Sequence, residues 1–331
     1  MSMSMGVGLF PTEPPKRMRE LAHQAERLGY DHVWFGDSQN IWREAFVTMG
    51  AASVGTERVT FGTGVTNGIT RHPSVLASTW ATLYEQMDGR VAFGIGTGDS
   101  SLRTMGLKPM KLADLEEYVG MMRALFRGEE VKEAHSGDPF RLNYLTGPTD
   151  IPIYIAASAP KILALTGRIG DGCVMLVGTD PKFIQGGLER IESGAAEAGR
   201  SLDDLHVVLW TPTAIDEEDG TRARDLVRAH VSRVVIRPLP FEMPPEDMEA
   251  VERIRDTYDY YHHMDTEASH ADLVPDSLVD RFALAGTPDE CRERVAQIAE
   301  LGIDQISIIP FTPPGGDRGR TMELFAEIAA P

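Results

Sequence analysis

Four stretches carry side chains that could do chemistry, and each sits where an apolar run ends. FGIGTGDSSL, Phe93 to Leu102, sets Gly94, Gly96, Thr97 and Gly98 ahead of Asp99. GTGVTNGITRHPS, Gly62 to Ser74, runs through Gly64, Val65, Thr66 and Asn67 to His72 and Pro73. GDSQNIW offers Asp37, Ser38 and Trp42, while AASAPKILAL presents Ala157, Ser158, Ala159 and Pro160 just before Lys161. Asp99 caps a helix or is a carboxylate held against a cofactor and suited to proton transfer. The spacing is G-x-G-x-G-D and not the G-x-G-x-x-G that aligns a pyrophosphate with a helix start, so a dinucleotide site is disfavoured. His72 before Pro73 either opens a helix or faces a pocket; Asp37 and Ser38 cap a helix or join Trp42 at a pocket mouth. The start of the helix at Pro160, with Lys161 adding charge, suits a phosphate, and GTDPK after Val177 supplies a second glycine loop at Gly178.

Those stretches must be positioned by the elements they terminate. Eight short β-branched or glycine-bearing runs, beginning near Gly6, Asp31, Val59, Val91, Ile151, Asp171, Leu205 and Asp304, alternate with helical patterns such as Met18, Leu21, Ala22, Ala25 and Leu28. Val75, Leu76 and Leu83 form a shorter apolar set, as do Met322, Phe325 and Ile328. The alternation predicts a (β/α)8 TIM barrel, an α/β fold, in one domain over 1–331. LGYD at Leu28, LGID at Leu301 and IGDG at Ile169 repeat a helix, glycine, aspartate, strand junction. A standard barrel needs about 250 residues, so the excess is assigned to insertions at about 128–150, before the fifth strand, and 237–275, between the seventh and eighth.

Bulk composition narrows the partners. With 32 basic and 50 acidic residues the net charge is −18, which repels nucleic acid and anionic membranes. Cys173 and Cys291 lack metal-type spacing, and the adjacent His262 and His263 in the cluster from Tyr258 to His270 diverge on a helix, so no metal site is expected. The opening MSMSM has no leader-like run, and no segment approaches the roughly 18 apolar residues of a membrane span. The expectation is a soluble cytoplasmic protein acting on a small molecule.

Together GTGVTNGITRHP, LYEQMDGRVAFGIGTGD (Leu83 to Asp99) and APKILALTGRIGDG (Ala159 to Gly172) resemble the luciferase-like flavin and deazaflavin oxidoreductases, and among them the methylenetetrahydromethanopterin reductase branch. The resemblance implies a barrel binding either the deazaflavin coenzyme F-420, for hydride transfer, or FMN, for oxygen chemistry as a monooxygenase. It implies a ring resting on a bulge at Gly64 to Asn67, often with a non-prolyl cis peptide, here Gly64–Val65, and against Gly96, Thr97 and Gly98. It places the phosphate by Ala157, Ser158, Ala159, Pro160, Lys161, Val177 and Gly178. Asp99 then becomes the acid or base near the ring, with Asp37 as a second catalytic candidate and Ser38, Trp42 and His72 in the substrate pocket.

The resemblance also implies a homodimer or higher homo-oligomer built on the second and third helices, where AFVTMGAAS from Ala45 offers small packing residues. Two positions depart from it. Ser38 stands where sugar-phosphate and alcohol dehydrogenases of the family carry histidine, and Gly8 where the pterin reductases carry glutamate. A barrel that binds flavin without turnover is the reading from another class.

Overall fold

The computed structural model describes residues 3–133, 138–236, 239, 242–257 and 271–330. The strands are β1 (Ser4–Leu9), β2 (His32–Phe35), β3 (Thr60–Thr63), β4 (Thr66–Asn67), β5 (Val91–Gly96), β6 (Ile153–Ala157), β7 (Gly172–Met175), β8 (His206–Ile215), β9 (Leu284–Gly286) and β10 (Gln305–Pro310). All pair in parallel in the order β10-β1-β2-β3-β5-β6-β7-β8-β9, and β10 also pairs with β8, which closes a barrel of eight strands. The predicted TIM barrel is therefore the fold. The two extra strands have separate origins: β4 resumes beyond a break after β3, and β9 pairs with the far end of the ten-residue β8.

Helices α1 (Pro15–Arg27), α2 (Ala45–Ser53), α3 (Pro73–Gln86), α5 (Leu112–Phe126), α6 (Pro160–Ile169), α7 (Pro181–Glu197), α11 (Pro288–Ala299) and α12 (Arg318–Ala329) alternate with the barrel strands, while α4 (Ser100–Arg103) is a short turn after β5. Met18, Leu21, Ala22 and Ala25 of α1 are buried against the strands, as their spacing requires. Val75 departs from its apolar set: Leu76 and Leu83 are buried, but Val75 is 55% exposed. Between β8 and α11 lie α8 (Gly220–Val235), α9 (Pro245–Thr257) and α10 (Asp276–Phe282). Among the described residues, the region 128–150 contributes a single isolated bridge, Val131 with Phe140. The histidine cluster at 258–270 lies outside the described residues.

The repeated aspartates fix the starts of neighbouring strands. Asp31 accepts from the Met5 amide at 3.0 Å, Asp171 from Ile153 at 2.8 Å and Asp304 from Val207 at 2.7 Å. Gly29 and Gly302 end their helices with φ of +84° and +81°, as the motif predicts. Gly170 does not: its φ is −83°. There the helix-end carbonyls are satisfied by guanidinium groups instead, Arg123 donating to Ile169 and Arg200 to Gly170.

At the floor of the barrel, beneath the mouth, a polar and aromatic plug replaces an aliphatic layer. Gln305 Nε2 lies 2.7 Å from His32 Nδ1, Trp34 Nε1 donates to Gln305 Oε1 at 3.2 Å, and His32 stacks on Trp34 and His206. Burial, with His206 nearby, pushes the His32 imidazole down from 6.5 to about 3. Between those two values the unfolded chain binds a proton that the folded chain refuses, so stability is complete above pH 6.5 and falls progressively as pH drops toward 3. Urea unfolding midpoints measured at neutral and mildly acidic pH should show this loss, and His32→Gln should flatten it. An identical slope in the variant would remove His32 as the cause.

Candidate active site

The carboxyl ends of the strands surround a cavity of about 400 Å³. Its first wall is the break between β3 and β4, where the Gly64–Val65 peptide is cis, at the position the resemblance implied. Side chains hold this bulge from behind. Asn67 accepts from the Ile69 and Thr70 amides at 3.0 Å each and donates to Ser101 Oγ at 3.2 Å. Thr66 Oγ1 donates to Asp37 Oδ2 at 2.6 Å, and Arg71 donates to both Asp37 oxygens at 2.5 and 3.3 Å. Arg71 also reaches Glu44 at 2.7 Å, the residue whose side chain caps α2.

Asp37 thus lines the cavity, but its carboxylate is fully buried and committed to Arg71 and Thr66. Asp99 lines the opposite side beside Thr97 and Gly98. It stands at the N-cap position of α4 without making a side-chain cap; its carboxylate instead accepts from Arg103 Nε at 2.9 Å and from Arg233 Nη2 at 3.1 Å. The second of these pairs crosses the mouth from α8. Ser38 sits just behind the lining, its Oγ 3.0 Å from Ser100 Oγ.

The third wall is the start of α6. Its N-cap, Ala159, has no capping side chain, so among the described residues the first-turn amides meet no side-chain acceptor, and Ser158, Ala159, Lys161 and Ile162 line the cavity beside them. Pro160 occupies the first helical position, where its missing N–H costs nothing.

Three expected site residues are elsewhere. His72 is exposed: its ring caps α3 through the Ser74 amide, and Nε2 pairs with Glu133 at 2.9 Å. Val177 is fully buried in the core, and a Cβ at Gly178 would lie 2.5 Å from the Arg281 carbonyl, so this loop packs on α10 and not on the cavity.

Sequence reading missed the aromatic and cationic residues that complete the mouth. Phe10 follows β1 and stacks on Trp42 with ring centroids 4.4 Å apart, while Trp210 rises from inside β8. A Cβ at Gly8 or Gly64 would come within 2.6 or 2.5 Å of the Trp210 ring, so these glycines make room for an indole as well as for a ligand. Trp210 thus fills the space at Gly8. His230, Arg233 and Val234 project from α8 into the same cavity. The spacing Ala223, Val227, His230, Val234 was a legible inward face, but it lay outside the strand ends that drew attention.

A sequence profile described as luciferase-like monooxygenase matches residues 3–305. The chain belongs to the luciferase-like monooxygenase family. This luciferase-like chain is 28% identical over 332 residues to the 5,10-methylenetetrahydromethanopterin reductase of Methanolobus tindarius, covering 98% of itself and 99% of that protein. It is 30% identical to the F420-dependent glucose-6-phosphate dehydrogenase of Nakamurella multipartita, covering 96% and 92%. The coenzyme F420 dependent tetrahydromethanopterin reductase of Methanopyrus kandleri superposes with a TM-score of 0.81 at 25% identity, over 99% and 98% of the two chains.

Removing the carboxylate behind the bulge tests how the luciferase-like mouth is held. Asp37→Ala leaves Arg71 half-buried beside a cavity and should cost about 3 kcal/mol in denaturant unfolding, whereas Glu44→Gln, which removes the charge at the exposed end of the same arginine but keeps an acceptor for the α2 cap, should cost under about 1 kcal/mol.

Proposed function

We propose that this protein is a coenzyme F-420-dependent oxidoreductase that moves a hydride between the deazaflavin ring and a small organic substrate. One observation carries the reading: a bulge and an uncapped helix start face one cavity, in a chain that aligns end to end with proteins named as F420-dependent. Residues 64–67 and Gly96 give a narrow shelf for a flat ring; a Cβ at Gly96 would already lie 3.2 Å from Val65. The amides at the start of α6 and Lys161 suit the phosphate. F-420, when bound there, supplies the ring carbon that gives or accepts the hydride. Asp99 is the proton-handling candidate, held in place by Arg103 and Arg233, and Trp42 walls the pocket. Arg233 and Val234 help exclude water from this mouth.

The same reading extends to a single-domain, cytoplasmic homodimer. Val47 on α2, Val54 at its end and Val75 on α3 are 69%, 48% and 55% exposed, an apolar surface that a second copy would cover. Cys173 and Cys291 are free thiols in the interior, compatible with a reducing compartment. No helix among the described residues is long and apolar enough to cross a membrane.

Fluorescence titration of the purified protein with F-420 and, separately, FMN is the first test. We expect F-420 to bind about tenfold or more tightly than FMN, the equivalent of roughly 1.4 kcal/mol; the reverse order would overturn the reading in favour of FMN and oxygen chemistry. Lys161→Ala should weaken F-420 by about tenfold through loss of a charged contact and leave the phosphate-free deazaflavin ring unaffected. For the assembly, light scattering on a Val47→Lys, Val75→Lys double variant should report a monomer where the unaltered protein reports a dimer.

A further inference from the structure

The bulge and α8 stand on opposite sides of the barrel. Between β3 and β8 lie β5, β6 and β7 one way round and β2, β1 and β10 the other. α8 follows β8 and packs on it and on β9, and from there it lends His230, Arg233 and Val234 to the cavity. A ring lying on residues 64–67 and Gly96 keeps one face against that shelf and turns the other toward α8. Hydride crosses perpendicular to the ring plane, so the second reactant has to lie between the ring and α8.

Arg233 stands on the far side of that layer with donors to spare. Its side chain is 17% exposed, and Nη2 donates to Asp99 at 3.1 Å. Among the described residues this is its one hydrogen bond, which leaves Nη1 and Nε without an acceptor in a residue that lines the cavity. Arg71, at the same mouth, is met by two carboxylates, Asp37 and Glu44. Arg233 has one carboxylate where Arg71 has two.

We propose that Arg233 is the docking point for a carboxylate of the substrate, which shares the guanidinium with Asp99. The proposal rests on the F-420 reading and names the substrate class for it, a small organic acid.

Each part has a physical reason. A guanidinium presents its N–H groups in a planar fork that matches a carboxylate, and such charge-assisted bonds are the strong ones. A carboxylate entering the cavity loses water, a loss that a cation with open donors offsets. Asp99 on the same guanidinium repels each added negative charge, which favours a singly charged carboxylate over a phosphate. The start of α6 follows β6, away from both the bulge and α8, so ring, phosphate and carboxylate each have a wall of their own.

Calorimetric titration of the protein saturated with oxidised F-420 tests this with trans-cinnamate and its uncharged isostere cinnamamide. We expect cinnamate to bind about tenfold or more tightly than the amide, a comparison that needs no variant. Arg233→Met should weaken cinnamate by about tenfold and cinnamamide by less than about twofold, with F-420 affinity retained. Asp99→Asn should tighten cinnamate by about threefold while Arg233 is present and leave it unchanged in the Arg233→Met background, which separates contact with the cation from repulsion by an unpaired Asp99. Equal binding of acid and amide, no measurable cinnamate binding at millimolar concentration, an Arg233→Met loss that the amide shares or that Asp99→Asn restores, or an equal loss of F-420 affinity in Arg233→Met would each overturn the proposal with the cofactor reading standing. Failure of F-420 to bind the unaltered protein would overturn the cofactor reading and this proposal with it.

Discussion

The mouth of this barrel depends on a buried carboxylate. Taking the Asp37 side chain out of water requires donors around it, and the donors it finds belong to the segment immediately after the cis peptide. Thr66 and Arg71 can satisfy Asp37 only if the chain between them returns to the end of β2, so the charge fixes the path of the bulge. Arg71 Nη2 also donates to Glu44, and the guanidinium lies 4.7 Å from the Phe46 ring centroid. One ion pair thereby joins the second strand, the bulge and the start of α2, the helix whose outer face carries Val47. The wall proposed to carry a cofactor and the surface proposed to carry a second subunit share this anchor.

Rigidity below that anchor comes from a different source. The floor is closed by His32, Trp34, Tyr154, His206 and Gln305, a layer in which large rings fill the width and their polar atoms find one another. Above it, Trp210 takes the room that Gly8 and Gly64 leave. Glycine in these strands therefore serves two ends: it lets the bulge lie close to a ligand, and it lets an indole lie across the barrel axis. A side chain at Gly8 would displace Trp210 before it could reach a ligand, so position 8 and position 210 act on the site together.

The sequence made the barrel legible because its signals are local. Strand ends, the aspartates at their starts and the glycine-rich run before Asp99 are each read within a few residues, and they led to a bulge and a helix start that line one cavity. What it did not reveal depends on contacts between distant segments. His72 looked like a pocket residue because it follows the bulge, yet the turn at Pro73 carries it outward to Glu133. Gly178 looked like a second phosphate loop, but α10, more than 90 residues on in the chain, occupies the space beside it. Arg233 and His230 were missed for the same reason, since nothing near them in the sequence says that α8 reaches the mouth.

Electrostatics links these pieces. The chain as a whole carries −18, a field that repels any anion at long range. Around the cavity the balance reverses: Lys161, Arg103 and Arg233 face two carboxylates, and Asp37 is already neutralised by Arg71. Screening in physiological salt fades the distant repulsion within about 8 Å, whereas the cations at the mouth act at contact, on groups partly out of water. An anionic ligand therefore meets attraction only where the walls already fit it. The surrounding acid discourages anions everywhere else.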